Sequence, residues 1–105
     1  MAPRDSEQLL RGSWLLLSLN EPVRGRDLAL RSLEEREDNV NTYRALALAH
    51  ERSGAFAEAA ATYARALQQS FHPRYGDVKR VLREEAAMMM RGLSGLARPP
   101  LEATL

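Results

Sequence analysis

Apolar positions recur along this chain at spacings of three and four, in five blocks separated by Gly, Pro and polar turns. That period predicts five amphipathic helices and an all-α fold. The pattern is sharpest over residues 40–73. Tyr43, Leu46, Ala47 and His50 share one face of a helix that Gly54 ends, and Ala59, Tyr63, Ala66 and Leu67 share one face of the next. Ala47, Ala59 and Ala66 stand where two antiparallel helices come too close for a longer side chain, while Tyr43, Leu46 and Tyr63 fill the space around those contacts. The expected product is a helical hairpin whose apolar surface extends past its own pair.

The other blocks are read in the same way. A first helix is expected over residues 6–19, started by Pro3 with Asp5 or Ser6. Its Leu9, Leu10, Trp14, Leu15, Leu16, Leu17 and Leu19 wrap most of the way round, so it needs cover on more than one side. Asn20, Glu21 and Pro22 end it, Gly25 marks a loose turn, and a second helix over residues 26–36 shows Leu28, Leu30 and Leu33 as its apolar side. Asn39 or Asn41 caps the third helix, which runs to residue 53, with Gly54 in a left-handed conformation behind it. The fourth covers residues 56–70 and ends at Phe71, His72 and Pro73. The fifth, over residues 76–93, carries Val78, Val81, Leu82, Glu85, Met89 and Leu93 on one side. Of Met88, Met89 and Met90, which point about 100° apart, Met89 is the expected core residue. Another can serve either fold support or an adaptable partner contact. Residues 1–5 read as a disordered start and residues 95–105 as an exit linker, in which Pro99 and Pro100 forbid a helix and Leu101 and Leu105 are candidates to dock.

Residues 40–73 resemble a tetratricopeptide repeat (TPR), a helix–turn–helix unit of about 34 residues. Tyr43, Leu46, Ala47, Gly54, Phe56, Ala59, Tyr63, Ala66 and Leu67 match its pattern; His50 stands where an aromatic is usual, Phe71 where Pro is usual, and Pro73 comes two residues late. One repeat length upstream, Ser13, Gly25 and Ser32 occupy the three small positions and Leu33 stands opposite Leu67, so residues 6–38 are expected to be a degenerate earlier hairpin. The resemblance implies TPR-like antiparallel helical hairpins (about two repeats over 6–38 and 39–73) with residues 74–94 as a C-terminal capping helix. It also implies a binding scaffold rather than an enzyme. Carried over residue by residue, the concave-face positions are Asn41, Arg44, Leu48, Glu51 and Arg52 in the clear repeat. In the earlier one they are Glu7, Leu10, Trp14, Leu17 and Ser18, and the fifth helix adds Tyr75, Val78 and Leu82. The expected partner-binding groove is therefore Leu10, Trp14, Leu17 and Leu48, edged by Asn41, Arg44 and Glu51; the alternative is that following helices bury Trp14. The peptide-carboxylate clamp of some TPR co-chaperones is met only in part, by Asn41 and Arg44.

A second resemblance covers Phe71, Arg74, Tyr75 and Val78, followed by Leu82, Glu84, Glu85 and Met89. It is similar to a motif after the repeat region of bacterial inter-α-trypsin-inhibitor-like proteins, which are associated with bacterial α2-macroglobulins. It implies that the chain is a fragment of a larger periplasmic protein, with a macroglobulin-like protein or neighbouring subunits as partners. Without it, the expected place is a cytoplasmic complex or a spacer between domains. Homodimerisation through the first helix is a further expectation.

Composition narrows the chemistry. Fifteen basic against fourteen acidic residues leave a net charge of +1, and the arginines are interleaved with Asp and Glu, which argues against a nucleic-acid groove. With no cysteine there is no disulfide, thiolate nucleophile or Cys-based metal site. The longest apolar run, Trp14 to Leu17, is far short of the about 20 residues of a membrane span, and no signal peptide is seen. His50 and His72, the only histidines, have no metal-ligand spacing and no Ser–His–Asp company. His50 is expected to be a packed or half-buried ring. Glu34, Glu35, Glu37 and Asp38, like Glu84 and Glu85, are expected on solvated faces. No cofactor is implied.

Overall fold

A computed structural model describes residues 4–92 of the chain. Of the start expected to be disordered, residues 1–5, Arg4 and Asp5 are instead in the first helix; residues 1–3, the linker at 95–105 and Leu93 lie outside the described residues. Among the described residues five helices follow one another: α1 (Arg4–Ser18), α2 (Pro22–Glu35), α3 (Val40–Arg52), α4 (Phe56–Leu67) and α5 (Val78–Met90), with a 3₁₀ turn at Pro73–Tyr75. The described chain is all-helical, and consecutive helices pack as hairpins in a TPR-like arrangement. α1 pairs with α2, α3 with α4, α5 lies on α4, and α3 is central, touching α1, α2, α4 and α5.

Local chemistry explains the boundaries. Asn20, with φ of +59°, closes α1: its N–H reaches the Leu17 carbonyl at 3.1 Å, and the Glu21 N–H reaches that of Leu16 at 2.8 Å. Gly54, at φ +78°, closes α3 with the same pair of bonds, to Glu51 at 3.1 Å and from Ala55 to His50 at 2.8 Å. Asn39 caps α3, accepting the Asn41 N–H at 2.9 Å, and Asp77 caps α5, accepting that of Arg80 at 3.3 Å.

Three further expected features differ: the start of α2, the end of α4 and the exposure of Leu30. Pro22 starts α2 instead of ending the preceding element, because its fixed φ suits a first helical turn where an N–H has no partner. Gly25 is consequently inside α2, where it permits close approach: a Cβ there would meet Leu17 Cγ at 3.2 Å and the Ser13 carbonyl oxygen at 3.3 Å. α4 ends at Leu67, three residues before the expected 70, and the chain leaves through Gln68, in right-handed helical conformation. Leu30, expected on the buried side of α2, is 39% exposed; Gly25, Ala29, Ser32 and Leu33 form that side.

The small positions behave as the repeat register requires. Ser13 and Ser32 are fully buried, the Ser13 hydroxyl donates to the Gly25 carbonyl at 2.7 Å, and the Ser32 hydroxyl donates to the Ser6 carbonyl at 2.8 Å. In the second hairpin, Ala47, Ala59 and Ala66 are fully buried beside Tyr43 and Tyr63. Every residue from Val40 to Ala49 is buried, so α3 is enclosed on all sides instead of burying one stripe. Each large apolar side chain in this core contributes about 1.5–3 kcal/mol by its removal from water.

Candidate partner-binding face

The side of the stack built from α1, α3 and α5 carries the positions that the repeat register assigns to a concave surface. α1 contributes Leu10, Trp14 and Leu17; α3 contributes Asn41, Arg44, Leu48 and Glu51; α5 contributes Val78, Leu82 and Glu85. Three- and four-residue spacing places each set on one face of its helix.

Arg44 is the hub. Its Nε donates to Glu85 Oε1 at 2.7 Å, its Nη1 donates to Asn41 Oδ1 at 3.0 Å, and its guanidinium carbon lies 5.9 Å from the centre of the Trp14 ring. Arg44 and Glu85 are 4% and 6% exposed, so the ion pair is desolvated and joins α3 to α5, while the ring contact joins both to α1. Nearby, the exposed Arg52 donates from Nη1 to the Leu17 carbonyl at 2.6 Å and ties the ends of α3 and α1.

The groove residues expected from the sequence are therefore brought together, but packed. Leu10, Leu17, Asn41, Arg44, Leu48 and Glu51 are all buried, at 7, 2, 6, 4, 2 and 7% exposure, and only Trp14 is half-buried. Glu7 and Ser18 are exposed, and Tyr75 is half-buried. The Trp14 indole N–H and the Thr42 hydroxyl are enclosed with no hydrogen-bond partner among the described residues.

Glu85 corrects the expectation of a solvated Glu84–Glu85 run. Glu84 is exposed and pairs with Arg80 at 2.9 Å, but Glu85 is buried against Arg44. The signal was present: Glu85 shares a helix face with Val78, Leu82 and Met89, all buried. Met89 is core as expected, Met88 is half-buried and Met90 is 82% exposed.

The residues behind the second resemblance have packing roles. Phe71 meets Tyr43 edge-on, with ring centres 5.9 Å apart and planes at 76°; Tyr75 packs on the core and Val78 is buried. His50 lies on the opposite side of α3, half-buried in a cleft with Leu30, Leu46, Glu58 and Thr62. Burial lowers its pKa below the ordinary imidazole value; Glu58 opposes that shift and Arg26 adds to it. Among the described residues, no group of three His, Asp or Glu side chains is placed to hold a metal ion, and no helix is long and apolar enough to cross a membrane. Neither the family models, the curated proteins nor the solved structures match this chain.

Proposed function

We propose that the chain is a non-enzymatic protein–protein interaction scaffold, and that its contact surface is the outer edge of the first hairpin. The observation that carries this reading is the exposure of Leu15 and Leu19, at 60% and 63%, with Val23 at 51% just past the α1–α2 turn. Leu9, Gly12 and Leu16 lie beside them on α1 and are only partly covered, so one side of this helix keeps an apolar stripe. The first hairpin's other side is covered by α3, and an apolar helix of a partner protein is the matching cover for this one.

The finer version rests on the two sequence resemblances. In it, the hairpins are the scaffold region of a larger periplasmic bacterial protein, and the partner is a macroglobulin-like protein or a neighbouring subunit. A second reading, a spacer that contacts only its own chain, is favoured by the burial of Leu10, Leu17, Asn41, Arg44, Leu48 and Glu51.

The test uses the intact chain as bait beside a Leu15→Glu, Leu19→Glu variant, with helicity checked by circular dichroism and captured proteins identified by mass spectrometry. These two side chains are exposed, so the variant is expected to fold. A protein retained by the native chain and lost from the folded variant supports the scaffold reading. Identical captures refute it and leave the spacer. Light scattering on both chains separates self-association through the same stripe from capture of a different protein.

A further inference from the structure

We infer that a second copy of this chain covers the apolar stripe of α1: two chains pair through α1, antiparallel, about a two-fold axis level with Leu15 and Leu16. The inference rests on the reading of that stripe as a contact surface and names its partner.

The first support is the repeat itself. One repeat length after Gln8, Arg11 and Leu15 come Thr42, Ala45 and Ala49 of α3. Those three are fully buried, whereas Gln8, Arg11 and Leu15 are exposed. The difference lies in the neighbours. α3 packs on two helices that run antiparallel to it, α2 and α4, while α1 packs substantially on only one, α2, among the described residues. The outer side of α1 therefore calls for a second antiparallel helix. A two-fold axis perpendicular to α1 supplies it, because it sets another α1 against the first with its direction reversed.

The second is charge. Arg11 and Glu21 are exposed, and neither makes an ion pair among the described residues. They are equally spaced about Leu16, one on each side. In an antiparallel pair, a residue before the axis meets the residue equally far beyond it on the other chain. Arg11 of each copy is then level with Glu21 of the other, and symmetry makes that pairing twice. Opposite charges placed evenly about an apolar centre are what self-pairing in reverse direction requires.

The third is shape. The same axis brings Leu15 of one copy beside Leu16 of the other, and sets Leu19 level with Gly12. Leu15 and Leu19, at 60% and 63% exposure, gain most from cover. Gly12 has no side chain to hold a neighbour off, so Leu19 of the second copy can approach the α1 backbone there as a knob enters a hole. One helix face is smaller than the about 800 Å² per partner of a stable complex, so the pair forms reversibly as concentration rises.

Analytical ultracentrifugation of the full chain, from about 1 μM to about 1 mM, reads this equilibrium. The expected result is a monomer at the low end and a dimer at the high end. Arg11→Glu alone and Glu21→Arg alone each set like charges together twice, and should weaken the dimer about tenfold or more. An equimolar mixture of the two variants should regain the native affinity, because each chain then meets opposite charges at both ends. Both positions are exposed, and circular dichroism checks that both variants keep their helicity. A native chain that stays monomeric at the highest concentration, a dimer indifferent to both variants, or a mixture no tighter than its components overturns the inference. A monomeric native chain that still captures a protein lost from Leu15→Glu, Leu19→Glu overturns self-pairing and leaves the scaffold reading standing. A monomeric chain that captures nothing removes both.

Discussion

Glu85→Ala tests the buried ion pair that joins α3 to α5. The substitution removes the carboxylate from a guanidinium that is 4% exposed, leaving Arg44 with Asn41 Oδ1 at 3.0 Å and the Trp14 ring at 5.9 Å. Neither contact carries a negative charge, so the cation stays desolvated without its counter-ion. Breaking one side of such a pair costs about 3–5 kcal/mol. A chain of this size has a total stability of about 5–15 kcal/mol, and each kcal/mol shifts the melting temperature by about 4–8 °C. The expected fall is therefore about 12 °C or more. Replacing both partners, as Arg44→Met with Glu85→Leu, removes the charge and the need for it together, and should recover most of the loss. Urea titrations of the native chain, both single variants and the double variant, followed by circular dichroism, give the coupling between them. A loss below about 1 kcal/mol in Glu85→Ala would mean that Arg44 reaches water on its own. A double variant as unstable as the single one would refute the charge argument and make packing the cause.

The remaining predictions concern the glycines and His50. Gly12→Ala should be neutral or stabilise by up to about 1 kcal/mol, since Ala favours the helix and the only close atom, Leu28 Cδ1 at 2.8 Å, ends a partly exposed side chain. Gly25→Ala should destabilise, because its Cβ meets buried Leu17 at 3.2 Å and the Ser13 backbone oxygen at 3.3 Å; thermal melts of the two variants should move in different directions. Gly54→Ala should lose about 1–2 kcal/mol to left-handed strain alone, since nothing lies within 4 Å of the new Cβ. Burial lowers the His50 pKa from 6.5, so the unfolded chain takes up the proton first and stability falls as pH drops below that value, levelling once His50 is also protonated in the folded state. Asp38, held below the usual carboxylate range by its hydrogen bond to Arg36, loses its contribution only at lower pH. The urea midpoint should therefore be lower at about pH 5.5 than at about pH 7.5, and His50→Phe should flatten that difference.

The sequence by itself determined the local and periodic part of this protein. Helical spacing is a property of the chain and its backbone, so five helices and the Gly54 stop were legible without a partner in view, and the cap of α3 was narrowed to Asn39 or Asn41, of which the structure uses Asn39. The small residues were equally legible, because close approach of two helices excludes anything longer, and Ser13, Gly25 and Ser32 mark the first hairpin as Ala47, Ala59 and Ala66 mark the second. Periodicity states which residues share a face and is silent on what stands opposite. Asn41, Arg44 and Leu48 were expected to line an open groove, but only the tertiary structure buries them and puts Glu85, 41 positions later, against Arg44. A charge reads as solvent-facing until its counter-charge is known, and that counter-charge arrives on another helix. Enclosure is likewise a sum over neighbours: α3 shows one apolar stripe in sequence, yet α1, α2, α4 and α5 leave none of Val40 to Ala49 exposed.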